Sequence, residues 1–245
     1  MVGRFFHWDD HGPFRHTLAG HPLFSSERIV GLARESKNAE KGDGVLSVSR
    51  LEEEPAYREI FDACRHEITG AFPDLDGAPL HASLVIASPG AAFAPFVEPV
   101  SSFVLQVHGA QIVTIRAWDG AADSHYQLER HYLGHTVTGG ADREASAGSS
   151  IRLETGQGAH QPEHALRSWA VTGDEPSLCV RIDLATRRAA REAETHRMNG
   201  LLRLAGVNAR PAGRSAWLDE GKFLVGKAER GVRSVIERVR RRRQG

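Results

Sequence analysis

Two hydrophobic periods divide the chain. In the first third the spacing is helical. Residues 25–36, SSERIVGLARES, place Ile29, Val30, Leu32 and Ala33 on one side, with Ser25 or Ser26 able to cap the first turn. Residues 38–50 are rich in Gly, Lys, Asp and Ser and read as a loop. A second helix is predicted from Pro55, a residue suited to a first helical position, behind the acidic run Glu52–Glu54. In it Tyr57, Ile60, Phe61, Cys64 and Ile68 recur as one apolar stripe, which makes Cys64 a core residue.

From residue 80 the period shortens to that of strands. LVIAS at 84–88, FVLQV at 103–107, IVTI at 112–115, SIRLE at 150–154, RSWAV at 167–171 and LCVRIDL at 178–184 are short strand-like runs. The tight His108–Gln111 connection predicts a hairpin between the second and third. The turn-rich TGDEPS joins the last two. In the last run Leu178, Val180, Ile182 and Leu184 alternate with Cys179, Arg181 and Asp183, which predicts a strand with one buried face. Short strands with Gly/Pro punctuation point to a closed or sandwiched antiparallel sheet.

Beyond residue 185 helical composition returns. ATRRAAREAETHRMNGLLRLAG predicts a helix that Gly206 can end, and residues 222–243 carry a further apolar stripe from Phe223 to Val239. The expected organisation is a barrel with N-terminal helices over residues 1–185 and a helical region over 186–245.

Composition narrows the class. Thirty-one basic residues balance thirty-one acidic ones, so global charge points to neither nucleic acid nor membrane. Residues 221–245 hold nine Lys or Arg against Glu229 and Glu237, a basic tail whose ordinary role is a solvated helix end. Two cysteines support neither a disulfide framework nor a Cys-rich zinc site. The N-terminal stretch has no basic flank followed by an apolar run, and no run approaches the ~20 residues of a membrane span. A reducing cytoplasm is the expected compartment.

The order of the motifs resembles the bacterial cupin-like JmjC (jumonji-type) proteins, relatives of the Fe(II)/2-oxoglutarate-dependent hydroxylases. The matching stretches are HTLAGHPLF at 16–24, EEPAYREIFDAC at 53–64, SPG at 88–90, Q-x-x-G at 106–109, GQGAHQP at 156–162 and HRMNGLLRLAG at 196–206. The resemblance implies a mostly β fold with flanking helices: a double-stranded β-helix (cupin/jelly-roll) barrel with N-terminal helices and a C-terminal helical segment. It also implies a homodimer built through the C-terminal helices.

The same resemblance implies three metal ligands, His-x-Asp and a distal His, which leave open positions on Fe(II). Here Phe96 and Glu98 occupy the first two positions and Arg167 the third. The cosubstrate-pairing cation falls at Gln111, and two further cosubstrate positions fall at Ser102 and Phe93. Phe offers no lone pair and Arg no acceptor. The expectation is therefore no metal and no cosubstrate, in a pocket of Phe93, Phe96, Glu98, Ser102, Gln111, His160, Arg167 and Trp169. Glu98 and Arg167 are expected to face each other where iron would sit, either plugging the barrel or presenting charge to a ligand.

Metal alternatives are a rearranged site of Glu98, His160 and His164, and the i,i+4 pair His131/His135. Pro162, between His160 and His164, argues against a helix there. Three functions stand open from sequence. One is a metal-free cupin that binds a small molecule, a peptide or a protein partner. Another is an Fe(II)/2-oxoglutarate oxygenase with a non-standard ligand set. The third is a metal-independent acid–base enzyme using Glu98 or a histidine.

Overall fold

A computed structural model describes residues 5–8, 13–42, 44–97, 100–116, 122–133, 149–215, 217 and 219–221. Contacts divide the chain into two units, residues 1–117 with 138–186, and residues 118–137 with 187–245.

The first unit begins with β1 (Phe6–His7) and β2 (Phe14–His16), then α1 (Ser26–Glu35), β3 (Ala39–Gly42), β4 (Val45–Ser49) and α2 (Pro55–Ala71). Ser25 caps α1 by accepting from the Arg28 N–H, and Pro55 opens α2 as expected. The α2 stripe Tyr57, Ile60, Phe61, Cys64 and Ile68 is buried throughout. Glu67 of α2 accepts from the backbone N–H groups of Phe5 and Phe6 at 2.7 and 3.0 Å, tying the first strand to the helix. The segment read as a loop at 38–50 is the β3–β4 hairpin. Its polar composition fits an edge pair only part-buried from water.

Eight further strands follow: β5 (Leu80–Ala87), β6 (Ala92–Val97), β7 (Ser101–His108), β8 (Ala110–Arg116), β9 (Ser149–Glu154), β10 (Gln157–Gln161), β11 (Leu166–Thr172) and β12 (Ser177–Leu184). They form two antiparallel sheets. One has the order β1-β2-β10-β7-β12-β5-β4-β3 and the other β6-β11-β8-β9. From β5 to β12 the chain crosses between sheets at every step except β8 to β9. The facing sets β10-β7-β12-β5 and β6-β11-β8-β9 are thus wound as a jelly roll, the double-stranded β-helix.

That winding corrects the expected β7–β8 hairpin. β7 pairs with β10 and β12, whereas β8 pairs with β9 and β11. The tight connection at Gly109, with φ at +71°, is a corner between sheets. β6 contains Pro95, which lacks a ladder N–H, and it lies at a sheet edge where that is tolerated.

β12, at the centre of the large sheet, is covered on both faces, so the single buried face expected for it is also corrected. Leu178, Val180, Ile182 and Leu184 join Phe103, Leu105 and the α2 stripe in one core. The off-phase Cys179 joins Val104, Ala159, Val113 and Leu153 in a second core between the sheets. The unit is therefore layered as helices, large sheet and small sheet.

In the second unit α3 (Ala122–Tyr132) packs on α4 (Arg187–Leu204). Gly200 permits the approach, since a Cβ there would lie 2.7 Å from Leu133 Cδ1. Gly206, at φ +81°, ends α4 as expected, with the Val207 N–H bonded to the Leu202 carbonyl at 2.9 Å. Arg203 donates from Nε to Glu129 Oε2 at 2.7 Å. The stripe expected over 222–243 and the dimer contact built on it lie outside the described residues. Among the described residues no helix is long and apolar enough to cross a membrane.

Candidate functional site

Between the two sheets lies a cavity of about 190 Å³. Its walls come from alternate positions of successive strands, because side chains of a strand turn to the same face every second residue. β12 supplies Cys179 and Arg181, β11 supplies Arg167 and Trp169, β8 supplies Gln111 and Val113, and β10 supplies Gln161. Val85, Val104, Phe93 and the edge residues Val45 and Ser47 complete it.

One wall is apolar and aromatic. Phe93 and Trp169 stack with ring centroids 4.6 Å apart and planes 23° apart. Phe93 is 42% exposed and so sits where the cavity meets solvent. The rest of the lining is polar and rich in donors. Arg167, only 5% exposed, donates from Nη1 to Gln161 Oε1 at 2.6 Å. Arg181 donates from Nε to Asp183 Oδ1 at 2.7 Å and to Ser102 Oγ at 3.1 Å, and the Ser102 hydroxyl donates to the same Asp183 carboxylate. The Nε2 of Gln161 is buried and bonds to no acceptor among the described residues, while the Gln111 amide lies against the Cys179 thiol. Burial pushes the Cys179 thiol up to about 11, partly offset by Arg167, Gln111 and Arg181. The thiol is therefore protonated and inert, a wall group and not a nucleophile.

Of the residues expected in the pocket, Phe93, Gln111, Arg167 and Trp169 line this cavity. Ser102 adjoins it through Arg181. Phe96 pairs with Arg167 along the β6–β11 ladder, but its side chain lies outside the described residues. Glu98 lies outside them altogether, and with it the expected Glu98–Arg167 pair. His135 does too, and so does the His131/His135 pair.

His160 departs from expectation. Its neighbours Ala159 and Gln161 turn to the cavity side, so His160 turns to the other face of β10. There it stacks on Phe103 at 4.6 Å, tilts against Phe72 at 4.7 Å, and places Nε2 2.8 Å from Ser101 Oγ. Burial lowers its pKa to about 4, so the ring is neutral. His164 occupies a turn with φ of +63° after the strand and lines no part of the cavity. A site joining His160 to His164 therefore has no common cavity. Sequence reading also missed Gln161, Cys179 and Arg181. The last two were readable as the off-phase positions of the alternating β12 run.

Among the described residues no group of three His, Cys, Asp or Glu side chains could hold a metal ion. Among the described residues the cavity lining carries two guanidinium groups and two amides and no imidazole.

No family model matches the chain, and no curated protein matches it. Among solved structures, oxalate decarboxylase from Bacillus subtilis at pH 4.6 aligns with a TM-score of 0.38 at 13% identity, over 64% of this chain and 28% of that one. A structure of the same enzyme studied for its Mn(II) centres aligns with a TM-score of 0.37 at 13% identity, over 60% of this chain and 27% of that one. This chain thus spans little more than a quarter of those proteins.

Proposed function

We propose that this protein is a metal-free jelly-roll binding protein that takes a small ligand between its two sheets. The observation that carries the reading is Arg167. A buried guanidinium, bonded to Gln161 at 2.6 Å, occupies the position where the JmjC resemblance calls for a metal-binding imidazole. An arginine stays cationic in proteins and has no lone pair to give. Gln111 at the cosubstrate position and the outward turn of His160 support the same reading. The cavity volume, about 190 Å³, suits a small molecule or one inserted side chain better than an extended peptide. Dimerisation through residues 222–245 is part of the proposal and rests on the resemblance.

The test is metal analysis of protein purified without chelator, paired with an assay of 2-oxoglutarate conversion to succinate with and without added Fe(II). Substoichiometric metal and no Fe(II)-dependent succinate are expected. One tightly held iron per chain, or Fe(II)-dependent turnover, would establish instead an oxygenase with a non-standard ligand set.

A further inference from the structure

We propose that the ligand of this cavity is a neutral, largely apolar molecule the size of one ring, carrying a single carbonyl oxygen; this rests on the metal-free binding reading above. Gln161 points to the oxygen. It lines the cavity from β10 and is fully buried. Its Oε1 accepts from Arg167 Nη1 at 2.6 Å, which fixes the amide with Nε2 as the remaining group. That Nε2 is buried and meets no acceptor among the described residues. A buried N–H group without a partner is costly, and a ligand oxygen seated on it removes the cost. One water could do the same, but a water takes only roughly 30 Å³. The cavity holds about 190 Å³. The other amide of the lining calls for no second oxygen, because Gln111 bonds to the Cys179 thiol.

The apolar part of the lining sets the body of the ligand. Val45, Val85 and Val104 line the cavity from the large sheet, and Val113, Phe93 and Trp169 from the small one. An apolar cavity of about 150 Å³ accepts one benzene ring. The present one, at about 190 Å³, has room for a ring with a short carbonyl substituent but not for two rings. Charge selects a neutral molecule. Both guanidinium groups of the lining are already engaged, Arg181 by the Asp183 carboxylate at 2.7 Å and Arg167 by Gln161. Neither argues for an anion. A carboxylate would give up its hydration for a mostly apolar lining, at a cost that a neutral carbonyl avoids.

The probe is acetophenone, titrated calorimetrically into the full chain, with ethylbenzene and benzoate as controls and metal content measured on the same sample. Ethylbenzene keeps the shape and lacks the oxygen. Benzoate keeps the ring and adds a charge. Acetophenone is expected to bind one per chain, with each control at least about tenfold weaker. Gln161→Glu keeps an oxygen for Arg167 and replaces the remaining N–H group by an acceptor. In that variant acetophenone is expected to fall to the level of ethylbenzene. If ethylbenzene binds the wild type as well as acetophenone does, the oxygen assignment fails. It fails too if Gln161→Glu binds acetophenone as the wild type does. If benzoate binds as well, the neutral assignment fails. If none of the three binds to metal-free protein, the ligand class is wrong while the metal-free reading stands. If the sample holds stoichiometric metal, that underlying reading is what fails. The comparison among the three probes needs no variant, so a Gln161→Glu protein that does not fold leaves the test intact.

Discussion

His160 Nε2 lies 2.8 Å from Ser101 Oγ on the face of β10 turned away from the cavity, with its ring stacked 4.6 Å from that of Phe103. Burial among aromatic rings disfavours the imidazolium and lowers the pKa to about 4. His16, buried in the same unit, is lowered to about 4 by burial, against a partly opposing bond to the Gln157 carbonyl. In the unfolded chain both rings take up protons near pH 6.5. Between pH 6.5 and 4 the unfolded state binds more protons, so stability rises with pH there. The stabilisation is whole above 6.5 and is lost as pH falls towards 4. Each ring contributes roughly 3 kcal/mol across that window. Urea midpoints at pH 7 and pH 5 measure it, and His160→Gln is expected to flatten the difference by about half. Equal midpoints at the two pH values would remove this account of both histidines.

Two glycines hold the barrel together by lacking a side chain. Gly109, at φ +71°, would place a Cβ 2.5 Å from the Pro176 carbonyl oxygen. Gly158 would place one 2.5 Å from the Phe14 ring and 2.9 Å from the Val104 carbonyl oxygen. Alanine at either position must move backbone or a packed ring, with an expected loss of about 3 kcal/mol. Gly77 also has positive φ, at +70°, but meets nothing within 4 Å. Gly77→Ala should therefore cost only the backbone strain, about 1–2 kcal/mol. Denaturant melts of the three variants rank them, and a Gly77→Ala protein as weak as Gly109→Ala would contradict the contact geometry.

How far the sequence could be read depended on whether one face of an element was enough to define it. The α2 stripe, the Ser25 cap and the Gly206 stop were legible because they are local: spacing, hydroxyl and φ preference each act within a few residues. β12 was legible as a strand, yet its second face was not. Cys179, Arg181 and Asp183 look like solvent-facing residues until the small sheet covers them. β10 was hidden because Gly158 and His160 are poor strand formers, admitted by the close approach of Phe14 and by an aromatic niche. The β7–β8 corner looked like a hairpin because both a hairpin and a sheet crossing need a short turn. Only pairing with β10 and β12 tells them apart. In the cavity, Gln111 and Arg167 were singled out through the resemblance, whereas Gln161 required the register of β10.

In the helical unit the Arg203–Glu129 pair is a sensitive point. The Glu129 carboxylate is 1% exposed and receives Nε of Arg203 at 2.7 Å, while the same guanidinium also holds the Ala209 carbonyl at 2.8 Å. Removing only the cation strands a buried anion, so Arg203→Met is expected to destabilise by about 3 kcal/mol. Removing both charges avoids that penalty. The double variant Arg203→Met with Glu129→Leu should recover most of the loss, as a double-mutant cycle of melts would register. A double variant no better than the single one would show that packing, and not the stranded charge, sets the cost.

An imidazole placed at position 167 should not create an iron site. Arg167→His places an imidazole in the cavity wall of β11, next to Gln161. A ferrous site of the JmjC kind needs a second imidazole and a carboxylate on the same side. His160 does not supply the former, because it faces Phe72 and Phe103 across the sheet, and rotating it inward would shift β10 by one residue. That slip would break the Gly158–Leu105 to Gln161–Ser102 ladder with β7. The expected result is that Arg167→His, purified without chelator, holds no more iron than the wild type and forms no succinate from 2-oxoglutarate. Its apolar neighbours also lose the stem of Arg167, and Gln161 Oε1 loses its donor, so a modest drop in melting temperature should accompany it. Stoichiometric Fe(II) in this variant would mean that one residue alone separated the barrel from a working metal centre.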